Sequence, residues 1–129
     1  MLTKQEIFDK VSTHLLTQNK RSQFAHDPEY PYVKPICAYR NEKGLKCAVG
    51  CLISDEAYTS EIENLNVFDE KVLDVLGLSG VDVKNEETMD MLCILQELHD
   101  WQEEGDWKYG LANIADSFCV TFSGLEASG

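Results

Sequence analysis

The sequence lacks a long apolar run, which excludes a helix that spans a membrane. Its longest apolar stretch covers residues 47–53, whereas a bilayer-spanning helix needs roughly 20 apolar residues. The first residues mix charged and apolar side chains and lack the apolar segment of an export signal. We therefore expect a soluble, cytoplasmic protein without membrane contact.

Common catalytic motifs are missing as well. The chain has no glycine-rich phosphate loop, no dinucleotide-binding fingerprint and no nucleophilic serine elbow, so the common nucleotide enzymes are disfavoured. Its five cysteines cannot all pair within one chain, and an odd number without an export signal favours reduced thiols. We expect no disulfide, no cofactor and no bound metal.

Positive charge is scarce in the middle of the chain. Residues 54–106 contain two basic and 16 acidic residues, whereas residues 1–53 contain eight basic and five acidic ones. The net charge of −12 lies beyond the magnitude of roughly 2–8 that is ordinary for a small domain. A field of this sign attracts basic protein surfaces and repels nucleic acids and anionic membranes.

Helical periodicity is the dominant structural pattern. Thr3 and Glu6 form a capping box, which predicts a helix start, and Ser54 predicts a short helix towards Glu63. A further helix is predicted on an apolar stripe that ends at Gly77 as its cap: Phe68, Val72, Val75 and Leu76.

Two more helices are predicted towards the C-terminus. Asn85 or Thr88 caps the first, which is apolar on nearly every side and is expected to be central, with Ile94 packed in it and Trp101 at its end. Asp106 caps the second, whose apolar stripe comprises Trp107, Leu111, Ile114, Ala115 and Phe118.

The remaining segments are predicted to be irregular or extended. All three prolines lie within residues 19–36, which we interpret as an extended loop. Residues 36–50 form a candidate β-hairpin that turns at Gly44, but the same apolar run could instead start a helix at Lys46 or Cys47. Residues 123–129 should fray. The chain is therefore expected to be a mainly α (α+β) single domain over residues 1–129, with four to five helices and a small hairpin.

The acidic residues of the middle segment are the main candidates for a binding surface. If they face outward from packed helices, they present a sheet of negative charge that resembles a phosphate backbone to a DNA-binding protein. The alternative is that they only keep the protein soluble. The candidates are Asp55, Glu56, Glu61, Glu63, Asp69, Glu70, Asp74, Glu86, Glu87 and Asp90.

Two other sites are possible. A small anionic ligand such as a nucleotide could be stacked and neutralised by a cluster near the hairpin: Tyr39, Arg40, Lys43 and Lys46. A cysteine-dependent hydrolase or transferase would use Cys47 as nucleophile with His99 and Asp100. Zinc would need further paired cysteines besides Cys47 and Cys51, and the spacing disfavours it.

One pattern extends over most of the chain. Cys37-Ala-Tyr-Arg40, Gly44-Leu-Lys-Cys-Ala-Val-Gly-Cys-Leu-Ile53 and Asp55-Glu56, followed by Leu95-Gln-Glu-Leu-His-Asp100, resemble a family of small proteins of tailed bacteriophages and bacterial mobile elements. The resemblance implies a phage accessory protein made in host bacterial cytoplasm. We therefore expect an acidic inhibitor that binds a basic or DNA-binding host or defence protein and forms no direct contact with nucleic acid; it could also be a homo-oligomer.

Overall fold

The protein is mainly helical in the residues that its computed structural model describes, namely 1–23, 38–41, 43–63 and 65–122. These residues form four α-helices: α1 (Lys4–Gln18), α2 (Glu70–Leu78), α3 (Glu86–Trp101) and α4 (Trp107–Ser117). They also form three 3₁₀ turns, at Gly50–Leu52, Ser60–Ile62 and Glu104–Asp106. No helix in the described ranges has the length and apolar character needed to cross a membrane.

Helix α1 begins where the sequence predicts. The hydroxyl of Thr3 accepts from the Glu6 amide at 3.1 Å, and the Glu6 carboxylate accepts from the Thr3 amide at 2.9 Å, so the capping box is confirmed. The helix ends at Gln18. The amide of Asn19 still donates to the carbonyl of Leu15, and the left-handed backbone of Asn19 (φ 50°) then turns the chain out of the helix.

Helices α1, α3 and α4 pack against one another around one core. Each buries a stripe of side chains, and the predicted stripe of α4 is confirmed from Trp107 to Ala115. Helix α3 contacts both α1 and α4, but α4 likewise contacts both α1 and α3, so the expected central place of α3 is not distinguished. The most deeply buried side chains include Ile7, Phe8, Val11, Leu15, Met91, Leu92, Leu95, His99, Trp107 and Leu111.

Helix α2 forms as predicted but with shifted ends. Val72, Val75 and Leu76 are buried, whereas Phe68 lies before the helix and is exposed. Asp69 caps the start by accepting from a first-turn amide. Gly77 does not end the helix; the left-handed glycine lies further on, at Gly80 (φ 95°).

The predicted β-hairpin near residues 36–50 is wrong for the residues described, 38–41 and 43–50. Gly44 does adopt a positive φ of 81°, but only one isolated antiparallel bridge, between Arg40 and Lys46, is present in these ranges. The backbone of Lys46 bonds instead to α1, because its amide donates to Gln18 and its carbonyl accepts from His14. The chain then turns into Gly50–Leu52 rather than continuing as a strand.

The short helix predicted from Ser54 towards Glu63 is also replaced by turns. The amide of Tyr58 donates to the carbonyl of Ser54, which closes a single turn, and extended backbone at Thr59 (φ −141°) separates it from the 3₁₀ turn Ser60–Ile62. The predicted loop from residue 24 on, residues 36 and 37 of the hairpin and the tail 123–129 lie outside the described residues.

Candidate functional site

The outer face of α3 combines acidic and apolar side chains. The inner face of the helix fills the core, and the positions left exposed repeat at helical spacing. We call five of them the α3 outer stripe: Glu86, Asp90, Ile94, Glu97 and Trp101. At 3.6 residues per turn and 1.5 Å per residue, they fall within an arc of about 80° and extend over about 22 Å.

A groove opens beside this stripe, between α3 and α4. It has a volume of about 310 Å³, and its walls include Ile94 and Trp101 from α3 and Ile114 from α4. Gly110 shapes it, since a Cβ at this position would collide with Cδ1 of Leu98. Glycine inside a helix costs roughly 0.5–1 kcal/mol relative to alanine, and an alanine at this position would displace the end of the Leu98 side chain.

Four of the ten predicted acidic residues bond to the protein itself. Asp55 pairs with Arg40 at 2.8 Å, Glu87 pairs with Lys4, and Asp69 caps α2. The fourth is Glu63. The other six are exposed and have no ion pair in the part of the chain that the structure describes. They are Glu56, Glu61, Glu70, Asp74, Glu86 and Asp90.

Glu63 holds a turn together from within the fold. Its carboxylate accepts from the amides of Tyr39 and Arg40 at 2.9 and 3.1 Å. It also accepts from the hydroxyl of Tyr58 at 2.6 Å. Burial, and then this hydrogen bond, raise the pKa of Tyr58 to about 12. Glu63 therefore serves the structure rather than an outward-facing acidic surface.

Arg40, the main cation of the predicted anion pocket, is already engaged. Its guanidinium pairs with Asp55 at 2.8 Å, donates to the carbonyl of Ile53 at 3.0 Å and lies over the ring of Tyr58 at 4.5 Å. Its Nε is buried and has no hydrogen-bond partner among the described residues. A bound anion would have to compete with Asp55 for this charge.

Of the other residues of that pocket, Lys46 lies opposite Arg40 across the isolated antiparallel bridge, whereas Tyr39 is turned into the fold and Lys43 lies at the turn. Tyr39 is buried, and its hydroxyl donates to the carbonyl of Leu65 at 2.7 Å. Lys43 lies exposed at the turn, while the backbone of Lys46 bonds to α1. In the described residues, no observation therefore favours a nucleotide site here.

His99 is a fully buried structural residue. Its Nε2 accepts from the amide of Ser22 at 2.9 Å, and its Nδ1–H donates to Asp100 at 2.8 Å. Because a backbone amide can only donate, this bond assigns the ring proton to Nδ1. The ring also stacks on Trp107 with centroids 5.6 Å apart. Both ring nitrogens are therefore occupied, and neither is presented to Cys47 as a base.

Among the described cysteines, Cys47, Cys51 and Cys93 are not arranged for nucleophilic chemistry. Cys47 is fully buried, and its sulfur accepts from the amide of Gly50 at 3.3 Å. Burial raises the pKa of Cys51 to about 12 and also raises that of Cys93, whereas a thiol nucleophile needs a lowered pKa. Within the described ranges, no three histidine, cysteine or acidic side chains form a metal-binding group.

The groove does not follow from the prediction that Ile94 and Trp101 belong to a helix packed on nearly every side. Positional information was present in the sequence. Ile94 lies four residues after Asp90 and three before Glu97, and Trp101 lies four after Glu97. Residues three and four apart share a helix face, so the acids mark the face that contains both apolar residues as solvent-facing.

Helix α3 thus presents exposed carboxylates, two exposed apolar side chains and the edge of a groove on one face. No family model, no curated protein and no solved structure matches this chain.

Proposed function

We propose that this chain is a non-catalytic acidic protein of bacteriophage type that binds and inhibits a basic host or defence protein in the bacterial cytoplasm. A DNA-binding protein such as a nuclease is the preferred partner, because its surface is built to receive negative charge. The sequence resemblance supports the phage origin. The net charge of −12 supports the choice of a basic partner.

The α3 outer stripe is the observation that carries this proposal. Glu86, Asp90 and Glu97 are exposed on one face of a helix that contains no lysine or arginine. Their charges are therefore not neutralised by neighbours on the same helix. A basic partner would gain attraction and a faster encounter from this face, and both gains would weaken with salt.

The spacing of these carboxylates limits how closely one helix can imitate DNA. From Glu86 to Glu97 the helix rises about 16 Å, so its three carboxylates supply one negative charge per roughly 5–8 Å of helix. One DNA strand carries a charge about every 3.4 Å. The stripe alone is thus a sparser row of charge, and mimicry of a duplex would require acids of other elements, such as Glu70 and Asp74 on α2.

The test is capture from a bacterial lysate with this chain as bait, elution in a salt gradient, and measurement of DNA binding by the captured protein. We expect the captured protein to be basic and to lose DNA binding when the chain is added. The affinity should fall steeply between about 0.01 M and 1 M ionic strength, over which the Debye length shrinks from about 30 Å to 3 Å.

Matched variants locate the effect. The two variants each remove three exposed negative charges. The stripe variant should bind the captured protein roughly 3-fold to 100-fold more weakly than the natural chain does, at about 0.2–1 kcal/mol per exposed ion pair lost. The stripe variant is Glu86→Gln, Asp90→Asn and Glu97→Gln. The control is Glu56→Gln, Glu61→Gln and Asp116→Asn, which lie outside both α2 and the α3 outer stripe. Affinities that do not change with salt for any captured protein would contradict the electrostatic mechanism.

A further inference from the structure

The α3 outer stripe places apolar side chains where a protein interface needs an anchor. Ile94 is 40% exposed and Trp101 is 70% exposed, and they lie two turns apart, about 10 Å along the helix. The groove beside them, at about 310 Å³, is at the lower limit of the roughly 300–1,000 Å³ typical of ligand pockets. Its size therefore suits one large side chain, and exposed tryptophans are frequent binding hot spots.

The charges around the groove decide between its possible occupants. Glu97 lines the groove, and Asp90 lies one turn before Ile94 on the same face. A second copy of the chain would bring a net charge of −12 against the same charge, and nucleic acids or anionic membranes would also be repelled. A segment with lysine or arginine beside an apolar side chain gains from both features of the site.

We propose that the groove between α3 and α4 docks a basic amphipathic helix of the protein partner. One apolar side chain of that helix enters between Ile94 and Trp101, and its lysines or arginines face Asp90 and Glu97. This mode is the ordinary recognition of an amphipathic helix by a groove. The inference rests on the proposed function, because it names the place where the basic partner is held.

The experiment uses synthetic peptides and the two tryptophans of the chain as reporters. Three basic amphipathic peptides of about four helical turns, with leucine, isoleucine or phenylalanine as anchor, are titrated into isotopically labelled protein. Scrambled peptides of the same composition serve as controls. Indole signals are assigned with Trp101→Phe. We expect the Trp101 signal to shift, the buried Trp107 signal to stay, and an amphipathic peptide to bind at least ten-fold more tightly than its scrambled form.

Variants separate the groove from general charge attraction. Trp101→Ala should weaken binding of the amphipathic peptides at least ten-fold and abolish their advantage over the scrambled ones. Tyr109→Ala is the matched control, because Tyr109 is 64% exposed on α4 but does not line the groove. It should leave binding unchanged. Both variants remove exposed side chains, and thermal unfolding checks that they fold.

Three outcomes would overturn the inference. Equal, salt-sensitive binding of amphipathic and scrambled peptides, unaffected by Trp101→Ala, would remove the groove while leaving the proposed acidic function intact. No binding by any basic peptide at low salt would remove both. A concentration-dependent dimer in sedimentation experiments that Trp101→Ala abolishes would assign the groove to a second copy of the chain.

Discussion

Substitution of His99 by alanine should strongly destabilise the fold. The ring is fully buried, accepts from the Ser22 amide and donates to Asp100, and it stacks on Trp107. Arg21 reinforces the same connection, since its Nε donates to the carbonyl of His99 at 3.1 Å. His99 therefore fastens the segment after α1 to the C-terminal end of α3.

The expected loss has two parts. Replacing a buried ring by a methyl group leaves a cavity and costs about 2–4 kcal/mol, by comparison with other large-to-small core substitutions. Leaving the Ser22 amide without its acceptor costs about 1–3 kcal/mol. Allowing for some relaxation, we expect a total of about 3–6 kcal/mol, against a typical stability of about 5–15 kcal/mol. His99→Phe keeps an aromatic ring but loses the hydrogen bonds, and it should lower the free energy of unfolding by about 1–3 kcal/mol.

Chemical denaturation followed by circular dichroism at neutral pH measures these losses. His14→Ala is the control, because His14 is only half-buried and donates one hydrogen bond, to the carbonyl of Lys46, so about 1 kcal/mol is expected. A loss below about 1 kcal/mol for His99→Ala would refute the reasoning. A His99→Phe variant as stable as the natural chain would show that the hydrogen bonds contribute nothing.

Three further predictions concern titration and reactivity. Burial lowers the pKa of His14 below 6.5, so the unfolded state binds a proton more readily than the folded state. The free energy of unfolding should therefore fall as the pH drops below 6.5 and level off beneath the pKa of His14 in the folded state. Denaturation curves of His14→Gln should show a weaker dependence on pH. Glu63→Gln should lower the pKa of Tyr58 from about 12 in an ultraviolet titration, where Tyr58→Phe identifies the signal; an unchanged value would contradict the role of Glu63. Iodoacetamide at neutral pH should alkylate the exposed Cys119 before Cys51. Cys51, whose pKa is raised to about 12, should react only when the protein unfolds. Rapid labelling of Cys51 in the native protein, detected by peptide mass spectrometry, would be contrary evidence.

Local rules predicted the helices well. The capping box at Thr3, the cap at Asn85 and the apolar stripe that starts at Trp107 each act within a few residues, so the sequence contains nearly all the information they need. The ends of the helices were predicted less accurately. Gly77, the predicted cap, lies inside α2, because the chain takes its left-handed turn at Gly80.

The hairpin was wrong because distant side chains decide the backbone pairing of its second half. Gln18 and His14 on α1 bond to the backbone of Lys46, while the hydroxyl of Ser22 donates to the carbonyl of Leu45. These partners replace a neighbouring strand. A pattern of short apolar runs contains no information about side chains some 30 residues away, so no local reading would have found them.

The candidate site was predictable in composition but not in detail. Acidic exposure on α3 follows from the position of its apolar stripe, as does the face shared by Ile94 and Trp101. In contrast, Glu63 lies among other acids in the sequence, and only its tertiary partners distinguish it. The groove likewise depends on the approach of α4 at Gly110, which is a property of packing.

The segregated charge has two separate consequences. In the described residues, three ion pairs join a cation of the first half to a later acid: Lys4 to Glu87, Arg21 to Glu104 and Arg40 to Asp55. Exposed pairs contribute only about 0–1 kcal/mol each, so they do not dominate stability. Each pair also cancels one charge of each sign and leaves the net charge of −12 unchanged. The acids of these pairs are not those of the α3 outer stripe, so the described cations of the first half form no ion pair on the face on which the proposed function depends.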